Sequence, residues 1–365
     1  MMYSLDEIGL IPAKVSTIKH RADVNPFVQS PFGGKMLPVF VAPMTCILSN
    51  ENVCTFARGK VEPILPVTTD RQFPRHLATG ATWFGWTAVT LDEFKHYFCA
   101  CNAQEGNKYH ILIDVANGHM GELFSAVEDA KQEYGDNLVV MIGNIANPET
   151  YIECCKARVD YVRVGIGGGA GCTTSVQTGI HASIPWILEG IEKIKRAGYL
   201  IPTEKDGRMI PNPCLFKEYI AEHKGVITKV VADGGINTIA KAIKCLALGA
   251  DYVMMGKCFA ECEEGTTRDT WYKDTTGNGR VLAHHLYYGQ SSDEGQKDRF
   301  GKVKSNPEGL AKLIPIKYTL KEFTDKFEAA LRSAMSYCNA RTLNDFIGKV
   351  HYETMTHSEF DAFIK

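Results

Sequence analysis

Tyr161-Val162-Arg163-Val164-Gly165-Ile166-Gly167-Gly168-Gly169-Ala170-Gly171-Cys172-Thr173-Thr174 carries a β-branched run into five glycines within seven positions and then into a cysteine. The first four residues read as a strand, because branched and aromatic side chains fit a pleated surface. The glycines read as backbone that turns tightly and can approach a ligand closely. This strand-and-loop is one unit of a longer pattern. Short apolar runs ending in Gly, Pro, Asp or Asn recur at 37–42, 62–67, 81–86, 110–115, 138–142, 160–165, 227–232 and 251–255. Amphipathic segments at 120–134, 148–157, 185–197 and 239–248 lie between several of them. Strand and helix patterns that alternate in this way call for a parallel sheet. Eight of them predict a closed (β/α)8 TIM barrel, one domain over 1–365.

Two segments depart from the repeat. Residues 198–225, with Pro202, Lys205-Asp206-Gly207, Pro211 and Pro213, read as an insertion that makes a surface excursion. Tyr287 to Asn306 is polar and flexible in character, and reads either as a solvated loop or as a mobile flap near 290–308. Near the C-terminus, Phe323, Phe327, Leu331 and Met335 recur every four residues and predict one buried helix face.

Composition narrows the function classes. The 365 residues are 45% hydrophobic and 22% charged with a net charge of -2, so no basic footprint for nucleic acid or an anionic membrane is present. No apolar run reaches the ~20 residues that cross a bilayer, and the first residues lack a signal-peptide layout. The expected location is cytoplasmic. Twelve cysteines in such a chain read as reduced thiols. Cys154-Cys155, the Cys258/Cys262 pair and His284-His285 lack partners at zinc-site spacing and read as structural.

In a barrel of this kind, chemistry sits at the C-terminal ends of the strands. The fourth run delivers Asp114-Val115-Ala116-Asn117-Gly118-His119, the sixth the glycine loop and Cys172, the seventh Asp233-Gly234-Gly235, and the eighth Met255-Gly256-Lys257. Glycines after strands seven and eight are a common backbone cradle for phosphate. Cys172 beside that cradle is the candidate nucleophile.

Together these motifs resemble the IMP dehydrogenase/GMP reductase family of (β/α)8 barrels. The similarity runs from Ser16-Thr17-Ile18-Lys19-His20-Arg21-Ala22-Asp23-Val24 to Leu331-Arg332-Ser333-Ala334-Met335-Ser336-Tyr337-Cys338. Its most specific parts are the glycine loop with Cys172-Thr173-Thr174, Ala232-Asp233-Gly234-Gly235-Ile236, and Gly249-Ala250-Asp251-Tyr252-Val253-Met254-Met255-Gly256. The resemblance implies attack of Cys172 on C2 of a purine 5'-monophosphate, with a nicotinamide dinucleotide as partner. It assigns Asp233 to the ribose, and Gly234, Gly235, Gly256, Lys257 and Tyr287 to the phosphate. Gly289, Gln290, Ser291 and Gly309 fall at base- and phosphate-contacting positions. Thr174 and Glu308 would handle protons, and Arg299 matches the flap arginine of the dehydrogenases. Asp114, Val115, Ala116, Ile166 and Gly167 would face the dinucleotide, and carbonyls of Gly167, Gly169 and Cys172 a potassium ion. A homotetramer is also implied.

The form of the motifs leans towards the reductase, with GMP and NADPH as substrates. Asp114-Val115-Ala116-Asn117-Gly118 and Cys172-Thr173-Thr174 followed by Thr178-Gly179 look like its versions, and no regulatory domain is inserted. Lys297-Asp298-Arg299-Phe300 looks instead like the dehydrogenase flap, which implies IMP and NAD, although Phe300 lacks the hydroxyl of the usual tyrosine. Ser175, Ala170 and Thr45 replace the family's arginine, serine and aspartate, and Thr87-Ala88-Val89-Thr90 falls where reductases carry a lysine. These departures also admit an unusual purine, or a nucleotide-binding protein without turnover.

Overall fold

The computed structural model describes residues 3–69, 85–100, 108–169, 174–196, 200–202, 209–211, 216–222, 224–265, 270–273, 281–304, 307 and 309–355. Eight parallel strands close into a barrel: β1 (Val39–Val41), β2 (Glu62–Leu65), β3 (Trp86–Val89), β4 (Tyr109–Asp114), β5 (Leu138–Ile145), β6 (Tyr161–Val164), β7 (Lys229–Asp233) and β8 (Tyr252–Met255). Each pairs with its sequence neighbours, and β8 closes on β1 through Val253 opposite Val39. The expected (β/α)8 architecture is the observed one.

Alternation along each strand separates two cores. Inward residues Phe40, Trp86, Leu112, Met141, Tyr161, Val231, Tyr252 and Met254 fill the barrel. Their rings meet edge to face, Trp86 with Phe40 at 5.8 Å and with Tyr161 at 5.3 Å. Outward residues such as Val41, Ile113, Ile142, Val162 and Ala232 pack under the surrounding helices. Helix Gly121–Tyr134 buries Leu123, Val127, Ala130 and Tyr134 against this layer. Helix Leu320–Tyr337 starts at a capping box, in which the Glu322 amide donates to Thr319 Oγ1 and the Thr319 amide to Glu322 Oε2. Its Phe323, Phe327, Leu331 and Met335 are all buried, as their spacing requires.

A hairpin of Val28–Gln29 and Lys35–Met36 covers the N-terminal end of the barrel. Gly33 and Gly34 hold φ of 96° and 81° at its turn, a region that L side chains rarely enter. Phe32 stands edge-on to His110 at 4.4 Å, and Ser30 Oγ donates to Glu62 at 3.2 Å. Both Glu62 and His110 are buried.

Three sequence expectations shift. The third strand is Trp86–Val89, with Trp86 and Ala88 facing inward, so it continues three residues past the expected run; residues 81–84 of that run lie outside the described residues. The polar segment after Tyr288 contains a helix, Asp293–Phe300, whose start is capped by Ser292 Oγ accepting from the Gly295 amide at 3.1 Å. Within 198–225, strands Leu200–Pro202 and Met209–Pro211 form a hairpin, and helix Phe216–Glu222 follows. That helix is not wholly superficial: Phe216 and Ile220 are buried, and Phe216 lies 5.9 Å from the Tyr151 ring.

The described cysteines behave as small apolar residues. Cys154, Cys155, Cys245, Cys258 and Cys262 are buried, and burial pushes the Cys258 thiol up to about 12. Among the described residues no His/Cys/Asp/Glu cluster could hold a metal ion, and no helix is long and apolar enough to cross a membrane.

Candidate active site

The C-terminal ends of the strands open into a cavity of about 290 Å³. It is lined by most of the residues singled out from sequence: Asp114, Val115, Ala116, Ile166, Gly167, Gly169, Thr174, Asp233, Gly234, Gly235, Gly256, Lys257, Tyr287, Gly289, Gln290, Ser291 and Arg299. Cys172 and Glu308 lie outside the described residues. Gly309 is not among the lining residues. Thr174 lines the cavity and opens the short helix Thr174–Thr178.

Close backbone contact explains the glycines. A Cβ on Gly165 would stand 2.2 Å from the Asp233 carbonyl oxygen, and one on Gly235 2.6 Å from that of Gly168. The loops after β6 and β7 thus touch backbone to backbone, which only glycine allows. Next to them, after β8, Gly256 leads into helix Lys257–Ala260, and a Cβ there would lie 3.6 Å from the Tyr287 hydroxyl. Glycine amides, the Lys257 ammonium and the Tyr287 hydroxyl therefore share one wall, a donor set suited to a phosphate.

An ion-pair chain lines the cavity beside them. Arg163, on β6, donates from Nη1 to Asp114 Oδ1 at 2.8 Å, and from Nη2 and Nε to Asp233 Oδ2 at 2.9 and 3.1 Å. Arg299, on helix Asp293–Phe300, donates from Nη1 to Asp114 Oδ2 at 2.8 Å and from Nη2 to the Asp114 carbonyl at 2.7 Å. Asn144 Nδ2 donates to the Gly165 carbonyl at 2.8 Å and to Asp233 Oδ2 at 3.0 Å. Burial pushes the Asp114 carboxyl up, but Arg299 and Arg163 together outweigh it and hold the group below the usual carboxylate range. Both oxygens of Asp114 are thereby engaged by arginine.

Gln290 adds a second polar feature. Its Nε2 donates to the Pro43 carbonyl, which fixes the amide orientation and leaves Oε1 buried without a partner.

Helix Asp293–Phe300 is pinned beside the cavity at consecutive residues. Asp298 Oδ2 accepts from Thr45 Oγ1 at 2.8 Å and from the Tyr288 hydroxyl at 2.6 Å, and the Asp298 carbonyl accepts from the Thr69 amide at 2.9 Å. The unusual Thr45 thus has a structural partner on the polar segment.

Arg163 and Asn144 were not picked out by sequence reading. A usable signal existed for Arg163, since a charged residue at an inward register position of a barrel strand needs a buried counter-charge. Asn144 gives none, because Gly143-Asn144-Ile145 reads as an ordinary strand end.

Comparison with known proteins gives a consistent family. A family model described as IMP dehydrogenase / GMP reductase domain matches residues 101–209 and 215–361. The GMP reductase of Bacillus licheniformis is 27% identical over 99% of this chain and 98% of its own length. That of Staphylococcus carnosus is 28% identical over 99% and 98%. The inosine-5'-monophosphate dehydrogenase of Chlorobaculum tepidum is 30% identical over 67% of this chain and 45% of its own length. The match thus spans about half the length of the dehydrogenase relatives.

Proposed function

The chain belongs to the IMP dehydrogenase/GMP reductase family, and on that premise we propose that it acts at C2 of a purine 5'-monophosphate in the reductive direction, GMP to IMP and ammonia. The observation that supports the direction is how much of this chain each kind of relative matches. The similarity to GMP reductases covers 99% of it, whereas the similarity to the Chlorobaculum tepidum dehydrogenase covers 67%.

The reading assigns each wall of the cavity a task. Gly234, Gly235, Gly256, Lys257 and Tyr287 hold the phosphate. Asp233, oriented by Arg163 and Asn144, receives the ribose hydroxyls. Gly289, Gln290 and Ser291 line the part of the cavity that receives the base. The Cys172 thiolate adds to C2 of GMP, and the exocyclic amine departs as ammonia with protons relayed by Thr174 and Glu308. The dinucleotide, NADPH in this reading, supplies the hydride at C2 when bound. Cys172 then leaves as thiolate and IMP is released.

Val115, Ala116, Ile166 and Gly167 fit the dinucleotide as cavity-lining groups beside the purine wall. Asp114 fits it less freely, because Arg163 and Arg299 already engage both of its oxygens. Carbonyls of Gly167, Gly169 and Cys172 are an all-oxygen, neutral donor set of the kind that suits potassium. A homotetramer belongs to the same proposal.

A second reading, oxidation of IMP with NAD, rests on Arg299, whose guanidinium lies in the cavity wall. The absorbance of reduced nicotinamide, followed with potassium present, decides between them. Consumption of NADPH with GMP and silence with IMP and NAD is the expected result, and Cys172→Ala abolishes it while nucleotide binding persists. Formation of NADH from IMP alone would overturn the reductive direction.

A further inference from the structure

His119 closes the turn that leaves β4, and its hydrogen bonds fix one state of the ring. Nε2 lies 3.0 Å from the Ala146 amide nitrogen and 3.3 Å from that of Asn147. Both are donors, so Nε2 must present a lone pair. Nδ1 lies 3.0 Å from Asn117 Oδ1, an oxygen that also accepts from the His119 amide at 3.1 Å. Nδ1 is therefore the nitrogen that carries the proton, and the ring is neutral.

These contacts extend a backbone ladder past the end of the sheet. The Val115 amide donates to Gly143, the Asn144 amide to Val115, and the Gly118 amide to Asn144, at 3.2, 3.0 and 2.9 Å. A Cβ on Gly118 would stand 2.7 Å from the Asn144 carbonyl oxygen, so the turn sits directly on this segment. The imidazole supplies the next rung, accepting two amides that the turn's own backbone does not reach. The segment so held carries Asn144, whose amide braces Asp233. The turn carries Val115 and Ala116. Two walls of the cavity thus depend on one ring.

We propose that neutral His119 is a positioning residue for the purine and dinucleotide walls, and that protonating its ring releases the Ala146 and Asn147 amides and loosens both. The consequence for turnover rests on the functional reading above; the clamp itself does not. Burial holds the His119 ring below its ordinary value of 6.5, so the clamp is intact at neutral pH and opens only in acid. Charged groups on the adjoining elements are Asp114 on β4, Glu122, Glu128, Asp129, Lys131 and Glu133 on helix Gly121–Tyr134, and Glu149, Glu153 and Lys156 at helix Thr150–Lys156. Asp114 is engaged by two arginines and Glu122 by Lys95, and burial is the one cause of the shift on His119.

The test uses the full chain. Nitrogen NMR of the His119 ring is expected to show Nδ1 protonated at about pH 8, and amide exchange at Ala146 and Asn147 to accelerate as the ring titrates in acid. His119→Leu removes the acceptor and should raise exchange at both amides at every pH. His119→Gln keeps an acceptor that cannot be protonated, and should restore protection and flatten the acid limb. In turnover, the wild-type KM for the dinucleotide should rise about tenfold as the ring protonates, with kcat less affected, and the glutamine variant should not follow. A ring protonated on Nε2 at about pH 8, or unchanged exchange at both amides in the leucine variant, would overturn the clamp. If wild-type protein turns over neither nucleotide pair, the functional reading fails, and the NMR and exchange results still decide on His119.

Discussion

Arg163 holds two carboxylates that come from different strands, Asp114 at the end of β4 and Asp233 at the end of β7. Its own burial disfavours the cation, and Asp233 and Asp114 more than restore it, so the guanidinium stays charged. Removing one member of such a set strands the others, which costs about 3–5 kcal/mol in buried pairs. Arg163→Met is therefore expected to lower the melting temperature far more than a surface Arg substitution, read by calorimetry. Arg163→Lys keeps the charge but has no planar fork to span both carboxylates, and should fall between. A methionine variant as stable as wild type would show that the network is not structural. The same scale explains why Asp233 is a ready ribose ligand: its Oδ2 is braced by three donors while the rest of the carboxylate faces the cavity lining.

Among the elements, helix Asp293–Phe300 departs most from its sequence reading. Its residues are polar nearly throughout, with no apolar stripe to announce a packed helix. What holds it is a set of polar contacts made with other elements: Asp298 to Thr45, Tyr288 and Thr69, and Arg299 to Asp114. Thr45→Val deletes one hydroxyl donor at nearly constant volume. The expected outcome is a loss of about 1 kcal/mol in local stability, seen as faster amide exchange across 293–300, with Thr45→Ser close to wild type. Equal exchange in the valine and wild-type proteins would remove Thr45 from the docking of this helix. A latch of individually modest bonds is also what a segment that opens and closes would need.

At the scale of the whole molecule, the two ends of the barrel carry different chemistry. The C-terminal end is the open cavity. The N-terminal end is a plug in which Glu62 and His110 sit under the 28–36 hairpin. Burial pushes the Glu62 carboxyl up to about 7, against the one hydrogen bond from Ser30. A carboxyl raised in the fold favours the protonated form there, so its contribution is complete below about 4.5, the ordinary value, and is lost as pH rises through about 7. Glu62→Gln keeps an acceptor for Ser30 without the charge. It is expected to match wild type in mild acid and to exceed it in melting temperature in mild alkali, by an amount on the order of 3 kcal/mol at most. Melting curves across that window check it; identical curves in alkali would show that Glu62 ionises without cost. His110 acts at the opposite edge: burial and then Lys108 hold it down to about 4, so its contribution is lost as pH falls from 6.5 towards that value.

The barrel was legible in the sequence because its strands are short apolar runs with punctuation, and a barrel interior demands apolar residues at every second position whatever else the protein does. The family motifs were legible for a related reason. Glycines at 165 and 235 meet another backbone at distances no side chain permits, so the requirement is written in the residue type itself. Boundaries were less so: the third strand runs on to Val89, past the apolar run that ends at Trp86, because inward facing, not apolar content, decides where pairing continues. Tertiary structure alone decided the rest. The pairing of Arg163 with Asp114 and Asp233 joins residues 49 and 70 positions apart. The docking of a polar helix on Thr45, and the single tautomer of His119, likewise depend on partners brought from distant or adjoining strand ends. Apolar burial repeats with the period of its element and so leaves a trace along the chain, whereas a polar contact depends on where one atom meets another, and only the closed barrel sets that distance.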